Sequence, residues 1–249
     1  MVEGLPGKKN TEDRKKAARQ IRYTRKYERY QRDFGLRQFG YEVNRSADKY
    51  IAAIGGLEEL FKYLRARRST KVLDIGSGTG KAIDGISESN LGEGFDFVRT
   101  ALTKNLSPEG TKKVHLTSAE ILRGIPSNSF GAVLAVCSVG YSEAPELVAE
   151  QIDRVLVPGG VFKGVFADSD AELVYGKLLK FKNYTALHSA LHRRGYDTAV
   201  LANFPYLGKE NDPDHILLAI KPDPSSDLPL AISLLGSDYE KTTQEKFIR

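Results

Sequence analysis

The residue types and spacings that promise chemistry in this chain begin at "KVLDIGSGTG", Lys71 to Gly80. Asp74 closes an apolar run, and Gly76, Gly78 and Gly80 follow at alternate positions with Ser77 between the first two. Strands disfavour glycine, so these residues mark a turn against which something lies. The next residues, "KAIDGISES", read as a helix. A strand, a glycine turn and a helix together make a nucleotide site, because glycine admits close approach and a helix N-terminus presents unbonded N–H groups. A second spacing, His188 and His192, places two imidazoles one helical turn apart, as in some zinc sites. The residues between them, "SAL", lack the glutamate of an HExxH site, so the pair reads as helix surface or core and no metal is expected. The one cysteine, Cys137, rules out intramolecular disulfides and a cysteine-rich zinc site.

The elements that must position these residues alternate. Apolar strand-like segments are "KVLDI", "FDFVRTALT", "KVHLT", "FGAVLAVCSV", "GVFKGVFA", "DTAVLA" and "HILLAIK". Helix-like stretches fall between most of them: "KAIDGISES", "APELVAEQIDRVL" and "AELVYGKLLKFKNYTALHSALHRR". This alternation predicts an α/β fold, a doubly wound, mostly parallel sheet with helices on both faces. Only "NFPYLGKENDP" separates the last two strands, so they are expected to close the sheet as an antiparallel hairpin. "ADKYIAAIGGLEELFKYLRARR" reads as helix, interrupted at Gly55-Gly56. The expected division is a basic helical N-terminal extension over 1–56, an α/β domain over 57–222 and a C-terminal linker and tail over 223–249.

Composition narrows the class. The 249 residues are 41% hydrophobic and 28% charged, as expected of a globular protein. No run reaches the ~18 apolar residues of a membrane span, and no secretory pattern opens the chain. An intracellular, cytoplasmic setting without membrane contact is the expectation. The net charge of +5 is unevenly spread: residues 1–70 hold 18 Lys and Arg against 9 Asp and Glu, and the remainder holds 19 against 23. Residues 11–34 read as a long helix, with Tyr23, Tyr27, Tyr30 and Phe34 on one face and arginines crowding the rest. That stripe suits packing on a domain with a solvated basic face. It also suits RNA or ribonucleoprotein contact, with Arg22, Arg25 and Arg29 on phosphates.

A dinucleotide fold would use G-x-G-x-x-G, whereas this turn is G-x-G-x-G preceded by an acid. In that respect it resembles motif I of the class I, Rossmann-like S-adenosylmethionine-dependent methyltransferases. "RVLVPGGVF", Arg154 to Phe162, is similar to the helix–turn–strand stretch that follows the cofactor region in that family, and "SNSFGAVLAVCSVGY" looks like its motif IV strand. The resemblance covers roughly residues 57–221. It implies S-adenosylmethionine as cofactor. Gly76, Ser77, Gly78 and Gly80 would lie along its methionine part and Asp74 would accept from its ammonium group. Asp74 as a helix cap is the plain alternative. Ser118-Ala119-Glu120 stands where relatives carry Asp-Ala-Glu, so Ser118 and the Ala119 backbone would read the adenine. Ser118 as a helix cap is the alternative there. Cys137, at the end of the motif IV strand, completes the expected cofactor contacts.

One position departs from the family's pattern. The second strand of such folds ends in an acid that holds the ribose hydroxyls. Here it ends Leu102-Thr103-Lys104, and Asp96 falls at its start. Thr103, or else Asn105, is the expected ribose contact. Methyl transfer from a sulfonium relies mainly on alignment, and a base is needed only where the acceptor must lose a proton. Tyr141 and Glu143 are the candidates for that role. "CSVGY" lacks the Asn/Asp-Pro-Pro-aromatic motif of base-amino methylating relatives, and Cys137 lacks a Pro-Cys context. The expectation is therefore O- or N-methylation of a small molecule, a protein or an RNA ribose. The alternative is a methyltransferase-like RNA- or ribonucleoprotein-binding protein of weak or no activity.

Overall fold

The computed structural model describes residues 46–101, 114–142, 144–167, 173–174, 177–178, 183–204, 214–225, 227, 231–235 and 247–248. The expected basic helix over 11–34 with Arg22, Arg25 and Arg29, and the candidates Thr103, Asn105 and Glu143, lie outside the described residues.

The chain runs α1 (Ala47–Ile54), α2 (Leu57–Ala66), β1 (Lys71–Asp74), α3 (Lys81–Ser87), β2 (Asp96–Ala101), β3 (Val114–Leu116), β4 (Phe130–Val136), a 3-10 turn (Val139–Tyr141) and α4 (Pro145–Val155). It continues through β5 (Leu156–Ala167), β6 (Leu173–Val174), β7 (Lys177–Leu178), α5 (Asn183–His192), β8 (Asp197–Phe204), β9 (Asp214–Ile220), a 3-10 turn (Ala231–Leu235) and β10 (Phe247–Ile248). One sheet of eight strands has the order β10-β8-β9-β5-β4-β1-β2-β3. The strands from β3 across to β5 pair in parallel, and β9 runs antiparallel to both β5 and β8. This is the doubly wound sheet with an antiparallel end that the strand–helix alternation predicts.

β4 is buried along its whole length, as expected of a central strand covered on both faces. The two faces carry separate cores. Tyr50, Ala53, Ile54, Leu57, Leu60, Phe61 and Leu64 of α1 and α2 pack with Val72, Leu134 and Val165. Val148, Ile152 and Val155 of α4 and Leu187 and Leu191 of α5 pack with Leu73, Val133 and Phe162. Adjacent strand residues thus serve opposite faces.

Local signals set the helix ends. Ser46 caps α1 by accepting from the Lys49 N–H at 3.4 Å. Gly55 and Gly56, with φ of 52° and 47°, break the chain between α1 and α2 as the glycine pair predicts. Pro145 opens α4 at its first turn.

Two expectations need correction. The stretch 171–194 reads as one helix, but among its described residues the helix is Asn183–His192, and Leu173–Val174 pairs antiparallel with Lys177–Leu178. Val174 and Gly176 both weaken helix there. Pro158-Gly159-Gly160 is not a turn before β5 but lies inside it. Pairing jumps from Phe130↔Leu156 to Ala132↔Val161, so the segment is an irregularity within the strand. Gly159 (φ +71°) presents its carbonyl to the Tyr63 hydroxyl at 2.7 Å.

The packed unit also extends past 57–222 on both sides. Tyr50, Ala53 and Ile54 belong to the core before it, and Ala231 and Leu234 after it. Lys163, fully buried in β5, ties these ends together by donating to the Gly55 carbonyl at 2.7 Å and the Leu234 carbonyl at 3.4 Å.

Candidate cofactor site

The glycine turn leaves β1 at the carboxyl end of the parallel strands, where the sheet order reverses between β1 and β4. Such a switch point opens a crevice for a ligand. Gly76, Gly78 and Gly80 all have positive φ, at +73°, +58° and +79°. Side chains would strain each of them.

The turn is held from both flanking strands. The Gly76 N–H donates to Thr100 Oγ1 at 3.1 Å, and the Ser77 N–H donates to the Thr100 carbonyl at 3.0 Å. Ser77 Oγ donates to the same carbonyl at 3.2 Å, so this candidate's hydroxyl helps shape the turn. On the other side, Ser138 Oγ donates to the Ile75 carbonyl at 2.5 Å. A Cβ on Gly76 would lie 2.5 Å from Ser138 Cβ. A Cβ on Gly80 would run into the Arg99 guanidinium, whose carbon would be 2.8 Å away. Arg99 is buried beneath the turn and pairs with Asp84 of α3 at 3.1 Å. The third glycine therefore also makes room for an arginine of the fold.

Asp74 is 1% exposed, and the hydroxyl of Tyr50, 4% exposed, donates to its Oδ1 at 2.6 Å. Past β3, Ser118 is 2% exposed, and its hydroxyl has no hydrogen-bond partner among the described residues. Ser118 caps no helix, because residues 119–121 form a turn; the neighbouring Thr117 Oγ1 accepts from the Arg123 N–H at 2.8 Å and ties that loop together. Ala119 is half-buried beside it. Glu120 accepts from the Ser142 hydroxyl at 2.6 Å, joining this loop to the one after β4. Cys137 is partly exposed with φ +49°, and its N–H donates to the Val165 carbonyl at 3.0 Å.

The described part of β2 ends Arg99-Thr100-Ala101 without an acid. Asp96 pairs in register with Lys71 at the opposite end of the strands from the turn, so it stands outside the crevice. Tyr141 closes the 3-10 turn after β4. His188 and His192 stack with ring centres 6.1 Å apart, and His188 Nε2 lies 3.0 Å from Thr198 Oγ1. Burial, then the neighbouring His192, lowers the His188 pKa.

Several residues at this end of the sheet carry no sequence signal of their own. Tyr50, Thr100 and Ser138 reach the turn from three other elements. Phe166 and His215 are register partners at the carboxyl end of β5 and the start of β9. Tyr184 stacks on His215 at 4.4 Å and lies 6.3 Å from Phe166. Phe166 also faces Gly140 of the 3-10 turn, where an added Cβ would sit at 3.4 Å. An aromatic row thus runs outward from the end of β4.

Residues 73–163 match the family model described as "Methyltransferase domain". No curated protein matches the chain. Among solved structures, the chain is similar to the Haemonchus contortus phosphoethanolamine N-methyltransferase 2 in complex with S-adenosyl-L-methionine, with a TM-score of 0.50 and 16% identity. The same enzyme with phosphomonomethylethanolamine and S-adenosylhomocysteine gives a TM-score of 0.50 and 15% identity. Each alignment covers 62% of this chain and 49% of the other, so the chain spans about half the length of that enzyme. A SAM-dependent methyltransferase from Archaeoglobus fulgidus gives a TM-score of 0.47 at 16% identity, covering 69% and 97% of the two chains. The class I methyltransferase resemblance carried by motif I and the Pro-Gly-Gly segment is borne out in the domain match and in the fold.

Proposed function

We propose, from the methyltransferase domain at residues 73–163, that this protein is an S-adenosylmethionine-dependent methyltransferase acting on oxygen or nitrogen of an acceptor still to be identified. The observation that carries the reading is the positive-φ glycine turn beside a buried acid, at the switch point of a doubly wound sheet.

The residues present fit the cofactor. Gly76 and Gly78 leave the turn's backbone open to the methionine part, and Asp74 offers a carboxylate to its ammonium. The buried Ser118 hydroxyl offers a hydrogen bond to the adenine, with the Ala119 backbone beside it. Cys137 lines the crevice at the end of β4. Thr103 is the proposed ribose contact. When bound, the cofactor supplies an activated methyl group. The protein's part is then to align donor and acceptor and to exclude water. An acceptor that must lose a proton would meet Tyr141 or Glu143 as the nearest base candidates after β4.

Gly78→Val tests the site, because its side chain enters the turn where the cofactor backbone contact is assigned. S-adenosylmethionine affinity measured by calorimetry is expected to be lost while the protein still melts in one cooperative transition, at a temperature lowered by the strain of a side chain at φ +58°. Unchanged affinity would remove the assignment. A second reading, an RNA-contacting protein of this fold with little activity, is favoured by one observation, the excess of basic residues over 1–70.

A further inference from the structure

We infer that Tyr50 is a positioning residue of the cofactor site: it aims the Asp74 carboxylate at the cofactor's ammonium group, and so makes α1 part of the binding machinery. The inference rests on the cofactor reading above and adds to it a residue from outside the matched segment 73–163.

The argument starts from the cost of burial. A carboxylate that is 1% exposed gives up most of its hydration and needs hydrogen bonds to replace it. Tyr50 supplies one such bond, an O–H donated to Oδ1 at 2.6 Å from a ring that is itself buried. The chemistry of that donor matters. A lysine or arginine in its place would neutralise Asp74 and compete with a cationic ligand. A phenol holds one oxygen and fixes the carboxylate plane while leaving the negative charge in place. A cationic ligand entering the crevice then meets an oriented anion and does not have to reorganise it, which is how preorganisation raises affinity.

The support under Tyr50 is independent of its hydroxyl. α1 is capped by Ser46, buries Ala53 and Ile54 completely, and ends at Gly55, whose carbonyl accepts from Lys163. Removing the hydroxyl while keeping the ring therefore leaves the helix in place. Tyr50→Phe is the variant to make.

The readout must separate orientation of Asp74 from a general loosening of the crevice. S-adenosylhomocysteine carries the amino-acid end, and methylthioadenosine shares its adenosine and thioether but lacks that end. With the full chain, calorimetry is expected to show Tyr50→Phe weakening S-adenosylhomocysteine by roughly tenfold, the scale of a hydrogen bond to a charged group. Methylthioadenosine should bind both proteins equally. In an Asp74→Asn background the Tyr50→Phe effect should largely vanish, because the two changes act through one interaction. Equal weakening of both nucleosides, or none, would overturn the inference and leave Tyr50 a core residue. Failure of the unaltered protein to bind either nucleoside would overturn the cofactor reading itself, a different result from either of these.

Discussion

Ser118 shows how one side chain can be a poor choice for the empty fold and a good one for a complex. Its hydroxyl is buried without a hydrogen-bond partner among the described residues, and such a group costs about 1–3 kcal/mol. Ser118→Ala should therefore raise the melting temperature of the ligand-free protein and weaken adenosine-containing ligands. Thermal scans with and without S-adenosylhomocysteine check both signs. A lower melting temperature without ligand would mean that the hydroxyl is satisfied in solution. The glycines divide in a similar way. Gly76 faces Ser138 and Gly80 faces Arg99, so both are small for the protein's own packing as well as for any ligand.

At the scale of elements, Lys163 sets the response to pH. It lies in β5 with no exposed surface, and desolvation pushes its pKa down to about 7 against a partial upward pull from Glu59. The unfolded chain keeps a lysine near its ordinary value of 10.5 and binds the extra proton between the two values. Stability should therefore rise as pH climbs from about 7 towards 10, and the burden is fully present below 7. The gain is on the order of a few kcal/mol. Lys163→Met should flatten that slope in denaturation curves across the same range. An unchanged slope would show the ammonium to be solvated.

The elements also show what could be read from sequence and what could not. β1, the glycine turn and α3 are legible because each depends on neighbours in sequence: an apolar run, alternating glycines, then helix-forming residues. β4 and β9 are legible as apolar runs long enough for buried strands. Residues 173–178 are not, because a short apolar segment beside helix formers carries no period that excludes either state. Tyr50 and Ser138 escape for another reason. Their roles are contacts across 24 and 63 residues, and nothing local marks a tyrosine on a helix stripe as the partner of a particular aspartate. Thr100 differs again, since it sits inside a strand-like apolar run where a threonine reads as an ordinary strand residue.

For the whole molecule, the two ends of the core fix where the chain can be cut. A chain beginning at residue 46 should fold and keep its affinity for S-adenosylhomocysteine, whereas one beginning at 57 loses Tyr50, Ala53 and Ile54. Burial of the Ile54 side chain alone stabilises by about 1.5–3 kcal/mol. Solubility, melting and calorimetry of the two truncations check this, and equal behaviour would restore a boundary at 56. The same pair tests the charge asymmetry. If residues 1–45 contact RNA, the full chain should be retained on RNA at low salt and released as salt rises, and the chain from 46 should not be retained.

The position of β9 has a consequence for how the protein is made. β9 lies between β5 and β8 although it follows both in sequence. As the chain leaves the ribosome, β8 at 197–204 has no partner to join until 214–220 has been synthesised. Until then β5 presents a free edge at Val161–Ala167, open to pairing with another nascent chain. The sheet is thus completed from the inside, by one of its last strands, and any pause in translation before residue 214 prolongs the interval in which that edge needs protection.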